Sequence, residues 1–255
     1  EIRNSVLSRN QSTYSGGAVH AESASVVNIK RSAIVQNDAN EAGGGLYTDV
    51  GSIVDINDTA FVKNGAYGGS GGAICLRNTG GTILNSPIND NMAKRGGGLY
   101  WTGADPNIIH CSISGNQATG KFETGGGFSC LNSSALIKDC EIMENSATNG
   151  FGGGGYVGGL NQQPDINNCL FTKNYAGYDG GGMYCDLDST PVISNCTFVG
   201  NSADEYGGGI YSTNNSFATI KDTIVWNNKA GSADPQIGIG RFTGQVDVSY
   251  CDVEG

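Results

Sequence analysis

The stretch FVGNSADEYGGGIYS, residues 198–212, sets an apolar residue three places before an Asn, an Ala two places after it, and then three glycines running into an apolar–aromatic pair. Alone, it reads as a linker or a phosphate loop. It is not alone. The apolar-x-x-Asn unit recurs at Leu7/Asn10, Ile34/Asn37, Phe61/Asn64, Ile88/Asn91, Ile113/Asn116, Ile142/Asn145, Phe171/Asn174, Phe198/Asn201 and Val225/Asn228. The steps between the asparagines are 27, 27, 27, 25, 29, 29, 27 and 27 residues, and Ala follows Asn by two places in every unit except the first, where Ser12 stands.

The glycine run keeps the same step: GGAVH (16–20), GGGLY (43–47), GGAIC (71–75), GGGLY (96–100), GGGFS (125–129), GGGYV (153–157), GGGMY (180–184) and GGGIY (207–211). A third column lies five residues before the apolar position: Ile2, Ile29, Ile56, Ile83, Ile108, Ile137, Ile166, Ile193, Ile220 and Val248. Three places after each of these comes Ser, Thr or Cys, from Ser5 to Cys251. Three short β-like segments in each repeat leave no room for a helix. Repeats of this length stack into solenoids. The pattern predicts an all-β, parallel β-helix of about nine to ten coils of roughly 27 residues, folded as one domain over residues 1–255. At about 4.8 Å per coil the rod is roughly 45 Å long.

In-register stacking assigns each column a role. The Ile, Phe/Ile and glycine-segment apolar positions fill the interior. The nine asparagines Asn10, Asn37, Asn64, Asn91, Asn116, Asn145, Asn174, Asn201 and Asn228 form an amide ladder, since a buried amide is tolerated only when its hydrogen bonds are met. The Ser/Thr/Cys column is small and inward-facing. The glycines serve turns with positive φ or close backbone approach. A phosphate loop is excluded: no G-x-x-x-x-G-K-[ST] occurs, and no helix follows.

Composition narrows the function classes. A net charge of −10 argues against nucleic acid and against acidic polysaccharides, and no apolar run reaches membrane-spanning length. Eight cysteines fit a secreted protein. Five of them (Cys111, Cys140, Cys169, Cys196, Cys251) share one column, where stacked Cβ atoms about 4.8 Å apart are too wide for a disulfide, so free core thiols are expected. No C-x-x-C is present, which leaves a zinc or redox site without support.

The repeats resemble those of chlamydial polymorphic outer-membrane proteins and related bacterial surface proteins, and more broadly the right-handed parallel β-helix of the pectate-lyase-like superfold. The resemblance spans residues 2–253 and rests on the GG[AG]-apolar and Phe-x-x-Asn motifs. It implies an extracellular or surface-displayed, often adhesive, passenger region, and it transfers no catalytic residue. TIVWNN (223–228), DPQI (234–237) and VDVSYCDVEG (246–255) resemble the last regular coil of such proteins, so the chain is expected to be a piece of a longer one or a subunit with covered ends.

The chemistry-bearing residues fall at particular places on that scaffold. Asp179, Asp186 and Asp188, with Asp204 and Glu205 one repeat on, are the densest acidic group. They read first as solvated turns, with a calcium site on Asp186 and Asp188 and a hydrolytic carboxylate pair as the sharper alternatives. His20 and His110 occupy unrelated columns without an evident partner, and Arg77 and Lys94-Arg95 lie in turns. Tyr47, Tyr100, Tyr184 and Tyr211, with Trp101, form an outward aromatic stripe by period-2 alternation, available to a sugar or a partner. The leading expectation is a non-enzymatic adhesin or spacer that meets a host or cell-surface glycan or protein. A glycan-active enzyme or glycan-binding module on one flank is the alternative, and self-association through open coil ends into a filament is the third.

Overall fold

The computed structural model describes residues 1–254 apart from Glu123, Asn161 and Arg241. Among the described residues every regular element is a strand, and none is a helix long and apolar enough to cross a membrane. The strands form four parallel sheets of 10, 10, 9 and 9 strands, here sheets I to IV in chain order within a coil. The second coil, for example, contributes Val26–Lys30, Ala33–Val35, Asp38–Ala39 and Leu46–Thr48. Each strand pairs with its counterparts one coil away, so the chain is a parallel β-solenoid.

The predicted columns stack in register. Ile29 pairs Ile56, Ile56 pairs Ile83, and Ile83 pairs Ile108, while Ile34, Phe61, Ile88 and Ile113 follow one another in sheet II. Their side chains are fully buried. In sheet II, Phe171 and Phe198 stack at 4.4 Å, nearly parallel.

The repeat has four strands where the sequence pattern predicts three. The additional strand begins just after each ladder Asn and carries the Ala column; it is two residues long except after Asn64 and Asn91, where it runs Gly65–Ser70 and Met92–Arg95. In most coils two residues cannot display an alternation, which is why the pattern conceals it.

Corners come from single left-handed residues. One precedes each Ser/Thr/Cys position, as in His110 (φ 52), Asp139 (φ 54) and Asn168 (φ 51), and another precedes each ladder Asn, as in Gln36 (φ 55) and Lys63 (φ 55). The third bend is the first glycine of the run, such as Gly207 at φ 60. The second glycine answers a different need: a Cβ on Gly208 would collide with the backbone of Lys229 one coil away.

The asparagines form a continuous ladder. Each Nδ2 donates to the Oδ1 of the next Asn at 2.8–3.0 Å, as in Asn10 to Asn37 and Asn37 to Asn64. From Asn37 onward it also donates to a carbonyl one coil back, for instance Asn64 Nδ2 to Ile34 O at 2.9 Å. The same Oδ1 accepts the preceding Asn's backbone N–H, so one side chain satisfies four polar groups.

The Ser/Thr/Cys column is a second ladder, and its chemistry matters as much as its size. Thr59 N–H donates to Ser86 Oγ at 3.1 Å and Cys111 N–H to Cys140 Sγ at 3.4 Å, while the hydroxyl or thiol donates to the carbonyl two residues back, as in Ser32 Oγ to Lys30 O at 2.9 Å. All eight cysteines are free thiols.

Two alignments differ from the sequence reading. The run 152–155 has four glycines, so Gly155, not Tyr156, takes the inward place between Phe128 and Met183, and Tyr156 moves into the outward Tyr column beside Tyr184. The Phe128 ring occupies the volume a Cβ on Gly155 would need. Trp101, assigned to the outward stripe, is inward: it follows Tyr100 by one place, so alternation turns it to the core, where it is 1% exposed and stacks on Phe128 at 5.5 Å.

Candidate functional site

The middle residue of each sheet IV strand faces away from the interior. The column reads His20, Tyr47, Cys75, Tyr100, Ser129, Tyr156, Tyr184, Tyr211, Gly238. Tyr156, Tyr184 and Tyr211 stack at successive 5.7 Å spacings. Contrary to the expected open stripe, Tyr47, Tyr100, Tyr184 and Tyr211 are at most 9% exposed. Residues from the loops joining sheets III and IV fold over part of this column: Phe151 lies on Tyr184 at 4.5 Å and Tyr206 on Tyr211 at 6.0 Å. The exposed aromatics of this flank are instead Tyr67 on the sheet III strand Gly65–Ser70 and Tyr14, Phe122 and Phe242 outside the strands. They follow no strict column, so periodicity could not select them.

The ring column stops where Gly238 takes the next place, and a groove of about 540 Å³ opens there. Tyr184, Tyr206 and Tyr211 line one part; Ile239 and Phe242 another; Asp179, Asp234, Thr213 and Asn214 bring the polar groups. Phe242 is 73% exposed. Asp179 is only 8% exposed. Its Oδ1 accepts the Tyr206 N–H at 3.0 Å, and among the described residues Oδ2 has no hydrogen-bond donor. Burial lifts the Asp179 carboxyl to about 6, against the Tyr206 hydrogen bond and with help from the Glu205 charge.

The sequence-predicted acidic group is thereby divided. Asp186 is buried, its Oδ2 accepting from Tyr156 Oη at 2.7 Å and its Oδ1 from Asn214 Nδ2 at 2.6 Å and Leu187 N at 2.9 Å. Asp188 is left-handed (φ 58), and its N–H donates to Asn214 O. Asp204 accepts from Tyr175 Oη at 2.8 Å, and Glu205 is exposed. Among the described residues no three His, Cys, Asp or Glu side chains converge as a metal set.

Both histidines have partners that the sequence did not indicate. His20 binds Glu22 at 2.8 Å and the Ser15 carbonyl at 3.0 Å; burial opposes its protonation, but these contacts outweigh it and raise the pKa. His110 lies 3.7 Å from Asp139 across one coil, beside a shallow hollow of about 550 Å³ at the corner of sheets I and II. Arg77 and Arg95 sit over the Tyr47 and Tyr100 rings at 5.9 and 5.3 Å. The outer face of sheet IV thus carries guanidinium groups at its third and fourth coils, with Asp49 accepting from Tyr47 Oη beside them, and Asp179 and Asp186 near its last coils.

The last ladder Asn meets a device the sequence reading passed over. Gln236 stands where the glycine run would be, and its Oε1 accepts from Asn228 Nδ2 at 2.8 Å, doing the work of a further Asn. Gln236 Nε2 in turn donates to Glu254 Oε2 at 2.9 Å, so a carboxylate faces the donor end of the amide chain.

A family model described as a right-handed beta helix region matches residues 69–235, well over half of the chain. No curated protein matches it.

Proposed function

Because the chain belongs to the right-handed β-helix family, a fold that sets a scaffold and not an activity, we propose that it is a non-catalytic, extracellular β-helical rod that adheres through one flank, the side formed by sheet IV and the loops entering it. One observation carries the reading: interior columns and ladders repeat coil after coil, while irregular loop lengths, the groove beside Gly238 and the exposed Tyr14, Tyr67, Phe122 and Phe242 lie on that flank; the other exposed aromatics, Phe217, Trp226 and Tyr250, belong to the last two coils of sheets I and II. A second hollow of about 460 Å³ lies at the sheet III end of the same flank, between Asp38, Asn40 and Tyr67. Exposed aromatic side chains on a rigid frame are what partner surfaces use. The partner is a cell-surface glycan or protein.

The test is binding of labelled protein to cell surfaces and to an immobilised glycan panel. Tyr67→Ser with Phe122→Ser, both on exposed rings, is expected to reduce binding several-fold without lowering the unfolding midpoint. Turnover of any polysaccharide in the panel, lost on replacing a groove carboxylate, would instead establish an enzyme. Binding unchanged by the double substitution would remove this flank from the account.

A further inference from the structure

The groove beside Gly238 combines two features that together select a ligand charge. Three tyrosines and Phe242 supply ring faces and edges, and Asp179 and Asp234 supply carboxylates. Among the described lining residues there is no Lys, Arg or His. Asp179 is more than nine-tenths buried, and its Oδ2 lacks a donor. Oδ2 is not among the buried atoms that lack a partner, so it opens on the groove, where a largely buried carboxylate gains most from a cation. Aromatic faces attract cations through their quadrupoles, so both halves of the lining favour the same sign. The two described carboxylates disfavour an anion. A neutral sugar could stack on the rings but would leave the carboxylate without a counter-charge.

We propose that this groove binds an organic ammonium group, the nitrogen held between Asp179 and the Tyr206 and Tyr211 rings and the ligand body lying against Ile239 and Phe242. The volume, about 540 Å³, exceeds what an ammonium alone needs and accommodates a body of monosaccharide size. The inference rests on the adhesive reading of this flank and names the chemistry that its groove takes. An ammonium can come from a choline-type headgroup or from an amino sugar, and the two are separable with small probes.

The experiment is calorimetric titration of the whole chain at pH 7.5 and low salt with choline and with glucosamine, each beside its uncharged counterpart, 3,3-dimethyl-1-butanol and glucose. At least one ammonium compound is expected to bind about tenfold or more tightly than its neutral partner. Whichever ammonium binds more tightly identifies the source. Asp179→Asn is expected to weaken it about tenfold with unchanged circular dichroism, and Phe242→Ala to weaken it several-fold. Binding is expected to fall as pH drops through about 6, where Asp179 takes up its proton; the other titratable groups facing it are Glu205, Asp234, Tyr184, Tyr206 and Tyr211, and burial raises the Tyr184 phenol. Glucose binding as well as glucosamine, or no ammonium binding up to about 10 mM, would overturn the inference. If adhesion persists without ammonium binding, only this inference fails; if ammonium binding persists without adhesion, only the adhesive reading fails.

Discussion

Replacing Asn145 by Ala removes an interior step of the ladder, and its cost can be worked out bond by bond. The side chain accepts from Asn116 N and Asn116 Nδ2 at 3.0 and 2.9 Å and donates to Ile113 O and Asn174 Oδ1 at 2.8 and 3.0 Å. Asn174 Oδ1 keeps a partner in the Asn145 backbone N–H and Asn116 Nδ2 keeps Ile88 O, but the Asn116 N–H loses its acceptor and Nδ2 one of its two, in a dry interior. With net contributions of about 1 kcal/mol per bond and a further penalty for stranded donors, Asn145→Ala should cost about 3–5 kcal/mol. Asn10→Ala is the internal control. Asn10 is exposed and its side chain gives one bond, to Asn37 Oδ1, which the Asn10 backbone also reaches, so about 0.5–1 kcal/mol is expected. Urea unfolding of both variants and the parent, compared at equal m, measures the difference. Equal costs for the two, or less than about 1 kcal/mol for Asn145→Ala, would refute the claim that the ladder is energetically important.

Other perturbations probe separate parts of the account. Gly155→Ala should destabilise by about 1–3 kcal/mol because its methyl meets the Phe128 ring, and Phe128→Leu should absorb part of that cost in a double-mutant cycle; strictly additive effects would argue against the contact. Asp179 titrates at about 6 when folded against 3.8 as the reference, so the folded state holds the proton more tightly and the charged form opposes folding. That cost is absent below about pH 4, grows between 4 and 6 and is complete above; Asp179→Asn should therefore gain about 1–3 kcal/mol over the parent at pH 8 and nothing at pH 3.5, and a loss at pH 8 would contradict the assignment. Gln236→Ala removes the acceptor of the Asn228 N–H and one of the two acceptors of its Nδ2, which keeps Phe198 O, and should cost about 1–3 kcal/mol in denaturant unfolding, whereas an unchanged midpoint would show that the ladder needs no terminator.

The solenoid was legible because each interior column repeats one residue type at one step, and stacking rewards that repetition directly. Ile29 over Ile56 and Asn37 over Asn64 are consequences of register. What escaped was whatever the period does not encode. Four consecutive glycines hid a one-residue offset at Gly155 that only packing against Phe128 resolves. Trp101 sits next to Tyr100, and a stripe drawn by aromatic character overlooked that neighbours on a strand face opposite sides. The Tyr column was placed on the correct face, but its cover comes from Phe151 and Tyr206 in loops of unequal length, for which no column exists. The groove was illegible for a related reason: it exists because Gly238 interrupts the Tyr column and Phe242 arrives from outside the repeat. Asp179 was noticed as one of an acidic group, yet its separation from Asp186, which Tyr156 and Asn214 hold, depends on contacts between different coils.

The central claim is that structure resides in the columns and partner recognition on a single flank. The most direct measurement is a scan of exposed positions by Ala or Ser substitution, reading surface adhesion and unfolding midpoint for each variant. The account predicts that adhesion losses without stability losses cluster at Tyr14, Tyr67, Phe122, Tyr206, Asp234 and Phe242, on the sheet IV flank. Losses clustering instead at the opposite corner, at His110, Glu141, Asn168 and Asn195, would contradict it.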